Sequence, residues 1–186
     1  MFEIELKASL TNRKEVEEKI SQFAEYLGKT EKSDVYWTQS RVGHPQKVRL
    51  REETNKPLRV NYKKKEIRSG QIEVNDEYEF TIGAGLDKKE AEKEKLSFET
   101  FLSSAGFSPS MVKHKDTKRW NFEDTLIEVS YVDKLGDFIE IEILSETADT
   151  ERTIEAHKKL LRTLEKAGVP EENIETRYYS ELLENV

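Results

Sequence analysis

Phe2-Glu3-Ile4-Glu5-Leu6-Lys7 alternates without a break between apolar and charged residues. Side chains two apart on a β-strand point to one face. Glu3, Glu5 and Lys7 therefore share one face, and Phe2, Ile4 and Leu6 the other. The same sorting recurs along the chain. Lys47, Arg49 and Arg51 lie opposite Val48 and Leu50, and Arg59, Asn61, Lys63 and Lys65 lie opposite Leu58, Val60 and Tyr62. Glu77 and Glu79 oppose Tyr78, Phe80 and Ile82, while Glu140 and Glu142 oppose Ile139, Ile141 and Ile143. Lys113, Lys115, Thr117 and Arg119 make a further polar face. The pattern predicts strands over 2–7, 35–39, 47–51, 58–65, 77–82, 112–120, 126–132 and 138–144. Turn residues such as Gly43-His44-Pro45 and Asn55-Lys56-Pro57 separate several of them.

Helical spacing fills most of the rest. Val16, Ile20, Phe23 and Leu27 follow an Asn12 cap and stop at Gly28. A second helix starts near Lys88 with the stripe Phe98, Phe101, Leu102 and Ala105, ending at Gly106. A third runs from about Thr150 to Ala167 through Ile154, Leu160, Leu161 and Leu164, and a short one, Tyr178 to Leu183, closes the chain. Eight strands at hairpin-like spacing predict an α+β fold: an eight-stranded antiparallel β-barrel with helices packed outside. With no linker or internal repeat, residues 1–186 read as one domain.

A half-solvated sheet explains alternation, but not sorting by sign. Within the predicted strands Glu-x-Glu recurs three times, and basic-x-basic recurs in at least three of them. Carboxylates two apart on a strand sit about 6–7 Å from each other. Their repulsion is about 0.6 kcal/mol in water and about 2.4 kcal/mol at an effective dielectric near 20. Inside an enclosure, acids so placed call for a cation and bases for an anion. A barrel with its charged faces inward would have a polar lumen suited to Mg²⁺ or Mn²⁺ and to several phosphates, since all-oxygen ligation favours hard cations. The apolar strand faces would then lie outward, beneath the helices.

Composition excludes several alternatives. The 186 residues include 31 basic and 38 acidic side chains, for a net charge of −7, so no basic excess points to nucleic acid. Two Trp, 7 Tyr and 8 Phe argue against disorder. With no cysteine there are no disulfides, thiolate metal sites or Cys nucleophiles, and a cytoplasmic location is expected. With strand-like alternation from Phe2 onward no signal peptide is expected, and no apolar run reaches the roughly 20 residues of a membrane span. Gly83-Ala84-Gly85 lacks the Gly-Lys-Ser/Thr of a P-loop and reads as a strand-ending turn. His44, His114 and His157 have no metal-ligand spacing, the run from Asp87 to Lys95 reads as a solvated helix face, and Trp37, Trp120 and Tyr36 read as core more than as base-stacking groups.

These residues also resemble a known family. Glu3-Ile4-Glu5-Leu6-Lys7 is similar to the ExExK opening of CYTH, or triphosphate tunnel, proteins. In order there follow Asp34-Val35-Tyr36, Val48-Arg49-Leu50-Arg51, Tyr62-Lys63-Lys64-Lys65, Glu77-Tyr78-Glu79 and Leu135-Gly136-Asp137-Phe138-Ile139-Glu140-Ile141-Glu142. Arg177-Tyr178-Tyr179-Ser180-Glu181-Leu182-Leu183 resembles the family's closing motif. The resemblance implies an eight-stranded tunnel and a divalent-metal-dependent enzyme acting on nucleoside or inorganic triphosphate. A class IV adenylyl cyclase-like reaction leads. An inorganic tripolyphosphatase or thiamine triphosphatase is the alternative, and a non-catalytic triphosphate-binding module the third reading.

By the same resemblance Glu3, Glu5, Glu140 and Glu142 are metal ligands, and Glu77 and Glu79 accessory acids. Lys7, Arg49, Arg51, Lys63, Lys65, Lys113 and Lys115 contact phosphate, with Lys7, Lys65 and Lys115 also taking the catalytic part. Neither nucleic acid nor membrane is an expected partner, and a homodimer stays open. Three positions depart from the family pattern: Lys115 where Arg is common, Ser130 where an acid is usual, and Asn75 where many cyclase-like members have Arg.

Overall fold

The computed structural model describes residues 2–39, 46–68 and 72–184, without the side chains of residues 46, 65, 68 and 72. The turn read at Gly43-His44-Pro45 lies outside them. The elements are β1 (Phe2–Ser9), α1 (Arg13–Ile20), β2 (Glu25–Gln39), β3 (Gln46–Glu53), β4 (Leu58–Arg68) and β5 (Ile72–Ile82), then α2 (Lys88–Ser104) and β6 (Ser108–Phe122). β7 (Thr125–Val132), β8 (Gly136–Ser145), α3 (Thr150–Lys166) and α4 (Tyr179–Leu183) complete the chain. The strands close into a barrel in the order β1-β5-β4-β3-β2-β6-β7-β8. This is the antiparallel eight-stranded barrel that the alternation predicts.

The chain forms two compact units: Met1–Thr30, Lys63–Glu77 and Lys115–Val186 in the first, Glu31–Tyr62 and Tyr78–His114 in the second. In the first, Ile4, Leu6 and Ala8 of β1 pack with Val74, Ile127, Val129, Ile139, Ile141 and Ile143. Val16 and Ile20 of α1 and Ala156, Leu160 and Leu164 of α3 cover them. Each Val, Leu or Ile side chain among them contributes about 1.5–3 kcal/mol when fully buried. The apolar strand faces thus lie under helices, and pleating turns the charged faces the other way. In the second unit, Val35, Trp37, Val48, Leu50, Leu58 and Val60 pack against Phe98 and Leu102 of α2. Trp37 and Trp120 are both core residues, and the Trp120 indole N–H donates to Ser21 Oγ.

Side-chain caps hold the helix starts. Asn12 accepts from the Glu15 amide, Asp87 from those of Lys89 and Glu90, and Asp149 from that of Arg152. Gly83 sits at φ +73° in the strand-ending turn, where an added Cβ would lie 2.7 Å from Ala91 Cβ, so only glycine lets α2 approach.

One predicted helix is corrected. The stripe read through Leu27 stops at Ile20, and Glu25 onward belongs to β2. Phe23 turns under the core to meet Phe122 edge-on at 5.0 Å, while Leu27 is 44 % exposed in the strand. Strand pairing, a long-range gain, outweighs a short continuation of helical spacing there. On α2 the expected stripe is partly open as well: Leu102 is buried, but Phe101 is 62 % exposed.

Candidate functional site

Strand register places the charged residues. In the first unit β1 runs between β5 and β8, with Glu5 opposite Glu73 on one side and Glu142 on the other. Lys7 stands opposite Glu140, and Glu140 opposite Glu128 of β7. Five carboxylates are thereby gathered on neighbouring strands.

Their charge is met first by lysines. Lys63 Nζ lies 2.5 Å from Glu3 and from Glu77, and 3.8 Å from Glu5. Lys115 pairs with Glu140 and lies 4.0 Å from Glu128. Asn75, fully buried, donates through Nδ2 to Glu5 at 3.3 Å and to Glu73 at 3.0 Å. Lys7 donates to the Arg177 carbonyl, and its Nζ lies 4.6 Å from the centre of the Tyr179 ring. That ring is also 5.1 Å from Lys115 Nζ.

These cations do not balance the acids. Burial, then the Glu73 charge, raises Glu5 to about 7 against the pull of Lys63. Burial, then Glu3, Glu128 and Glu5, raises Glu142 to about 8. The Tyr179 phenol is held well above its ordinary range by burial and then by Glu140 and Glu5. Such shifts report burial first and, after it, neighbouring negative charge. Among the described residues no three His, Asp or Glu side chains form a ready metal cage. The donors are nonetheless hard carboxylate oxygens, the kind a hard divalent cation takes.

The second unit carries the complementary charge. Asp34, 0 % exposed, accepts from Arg51 Nε at 2.7 Å and Nη2 at 2.9 Å, and lies 2.9 Å from Lys113 Nζ. Burial acts to raise the Asp34 carboxyl, but Arg51 and Lys113 outweigh it and hold the group well below the usual carboxylate range. Arg49 stands in register between Tyr36 on β2 and Asn61 on β4. Among the described residues, Arg49 Nε and Asn61 Nδ2 are buried donors without a hydrogen-bond partner. The Tyr36 phenol is lowered: burial pushes it up and Asp34 opposes ionisation, yet Lys113, Arg49 and Arg51 prevail. Positive potential therefore dominates here, a setting for a polyanion.

The predicted site residues are thus distributed as follows. Glu3, Glu5, Glu77 and Lys63 come together, as do Lys115 and Glu140, while Glu79 joins Arg59 in the second unit at 3.5 Å. The two acids of Glu77-Tyr78-Glu79 consequently serve different partners. Arg51 and Lys113 are held by Asp34. The side chain of Lys65 lies outside the described residues. Ser130, where an acid is usual, pairs with Thr117 through their hydroxyls at 2.9 Å.

Sequence reasoning left out Glu73, because it started that strand at Glu77. The period-two series Glu73, Asn75, Glu77, Glu79 would have found it. Asp34 was visible in Asp34-Val35-Tyr36 but was given no role, and neither Tyr179 nor Asn61 carried a signal beyond its place on a polar face or in the closing motif.

Known proteins share this architecture. A family model described as a CYTH domain matches residues 1–179. A conserved hypothetical protein from Pyrococcus furiosus is 26% identical with a TM-score of 0.76, covering 97% of this chain and 99% of its own. A Vibrio parahaemolyticus protein described as a putative adenylate cyclase reaches 0.77 at 18% identity, over 99% of this chain and 98% of its own. A Hippeastrum protein, described as a putative adenylyl cyclase with a dominant triphosphatase activity, reaches 0.62 at 17% identity, over 99% and 95%. At those identities the last two show a shared fold alone. No curated protein matches the sequence.

Proposed function

We propose, since this chain belongs to the CYTH domain family, that it is a divalent-metal-dependent enzyme acting on triphosphates, with class IV adenylyl cyclase-like conversion of ATP to cyclic AMP and pyrophosphate as the leading reaction. One observation carries the reading: buried acids outnumber their cations in one set, and buried bases outnumber their acids in the other. Burial strongly raises Glu5 and Glu142, while among the described residues the donors Arg49 Nε and Asn61 Nδ2 of the basic set are unmatched. The reading takes residues 1–186 as a single CYTH-like domain.

Glu3, Glu5, Glu140 and Glu142 would hold Mg²⁺ or Mn²⁺, with Glu73 and Glu128 beside them. A hard divalent cation supplies neutralisation of phosphate charge when bound. Arg49, Arg51 and Lys113 would bind phosphate oxygens, Asp34 keeping the Arg51 guanidinium and the Lys113 ammonium in place before substrate arrives. Preorganised cations of this kind stabilise developing phosphoryl charge without reorganising at the moment of reaction. Lys63 and Lys115 hold the acids' charge in the free protein, and Lys7 and Lys65 complete the basic group by resemblance. In the cyclase reading the ribose 3′-oxygen displaces pyrophosphate from the α-phosphorus.

Hydrolysis of inorganic or thiamine triphosphate is the second reading, and the aromatic residues favour it. Both tryptophans lie in the core and are not left to stack on a nucleobase. Incubation with ATP, thiamine triphosphate and tripolyphosphate, each with Mg²⁺ or Mn²⁺, separates the two. Cyclic AMP with pyrophosphate supports the cyclase, orthophosphate alone sinks it, and metal-dependent binding without product leaves a binding module.

A further inference from the structure

β3 and β4 pair with Arg49 opposite Asn61 and Arg51 opposite Arg59. Directly opposed residues on one face of an antiparallel pair bring their Cβ atoms to about 4.5–5.5 Å, so the Arg49 and Asn61 side chains leave the sheet together. Their neighbours are satisfied from within the protein: Arg51 and Lys113 by Asp34, Arg59 by Glu79. Arg49 Nε and Asn61 Nδ2 are buried and unmatched among the described residues. Asn61 is 2 % exposed, so bulk water does not meet its amide. A buried donor left open is destabilising, and native proteins keep few of them. Two on one register pair, beside Arg51, Lys113 and Arg59 with the two carboxylates Asp34 and Glu79, suit an anionic oxygen.

We propose that Asn61 is a specificity-determining residue of the anion site, donating from Nδ2 to the same phosphoryl group that Arg49 takes through Nε. The proposal rests on the triphosphate reading above and adds a neutral contact to its basic set. A neutral donor rewards an oxygen placed in reach without adding charge, so it discriminates by geometry, whereas each lysine or arginine attracts any anion. A carboxylate at the same position would pair with Arg49 and act as a built-in competitor of the ligand.

The test is calorimetric titration with inorganic tripolyphosphate in EDTA, which reads anion binding without turnover, alongside thermal unfolding of each free protein. Asn61→Ala should weaken binding about 10-fold, as expected for one hydrogen bond to a charged group. Its free-protein Tm should hold or rise, because an unmatched donor has been removed. Asn61→Asp should weaken binding more than Asn61→Ala and raise the free-protein Tm by pairing Arg49. Asn61→Ser, which keeps a short donor, should fall between wild type and Ala.

Wild-type affinity in Asn61→Ala overturns the proposal. So does a several-degree drop in free-protein Tm with unchanged affinity, the mark of a structural amide, and so does an Asn61→Ala that does not fold while Asn61→Ser binds as wild type. Arg49→Ala separates the two levels of inference. If Arg49→Ala loses binding and Asn61→Ala does not, only the role of Asn61 fails. If the wild-type protein binds no tripolyphosphate in EDTA or with Mn²⁺, the triphosphate reading fails and this proposal with it.

Discussion

Replacing Asp34 with Asn should cost this protein much of its stability while leaving its shape in place. Asp34 is wholly buried and meets Arg51 through both carboxylate oxygens, with Lys113 on the second. The introduced amide would keep one acceptor but turn its NH₂ towards a cation. Removing one partner of a buried ion pair costs about 3–5 kcal/mol, because the other charge stays buried. For a chain of this length each kcal/mol moves Tm by about 2–4 °C, so the fall should be about 6–20 °C.

Differential scanning fluorimetry from pH 3 to 8 measures it, with and without tripolyphosphate. Asp34 is held below its unfolded value, so its contribution is present above the unfolded pKa of about 4 and is lost as pH falls through the lower folded value. The gap between wild type and Asp34→Asn should therefore stay constant from pH 8 to about pH 5 and narrow only in strong acid. Tripolyphosphate should raise Tm more in the variant than in wild type, since the variant has one more uncompensated positive charge for the polyanion to meet. A fall under about 2 °C, or a polyanion effect no larger than in wild type, would refute the assignment of Asp34 as the counter-ion that holds the basic set.

Three further outcomes follow from the acidic set. Glu5 and Glu142 have folded values near 7 and 8, above their unfolded value, so their contribution is full below about pH 4.5 and is lost as pH rises through 7 and 8; Tm in EDTA should decline over that window, Mn²⁺ should reduce the decline, and a flat profile contradicts it. Glu5→Gln should abolish metal-dependent turnover with Tm unchanged or raised, because a repulsive buried charge beside Glu73 is gone; full activity would remove these glutamates from the chemistry. Lys63→Met should lower the free-protein Tm by leaving Glu3 and Glu77 without their cation, and should tighten Mn²⁺ binding in calorimetry, whereas unchanged metal affinity would show that Lys63 does not compete for that charge.

The strand placement of the candidate site residues was largely legible in the sequence. Glu3, Glu5, Glu140 and Glu142 share polar faces that period two alone identifies, and β1 and β8 do bring them side by side. The basic face at Arg49 and Arg51 was equally plain. The role of each residue was not. Glu77 and Glu79 read as one acidic pair, yet one meets Lys63 and the other Arg59. Lys63 and Lys115 read as phosphate contacts, and in the free protein they neutralise acids.

What this sequence determined by itself was the face each side chain occupies and the ends of most helices, because both depend on neighbours within a few residues. Alternation sets inside against outside, and Asn12, Asp87 and Asp149 cap the turns that begin beside them. Tertiary structure alone decided that residues 25–27 extend β2 instead of a helix, that Asp34 anchors Arg51 and Lys113, that Asn75 joins Glu5 to Glu73, and that Arg49 and Asn61 keep open donors. Those outcomes rest on strand register and barrel closure, which join residues far apart in the chain. A one-residue slip would reverse every face and exchange every partner, and no local pattern encodes which acid will stand across from which base.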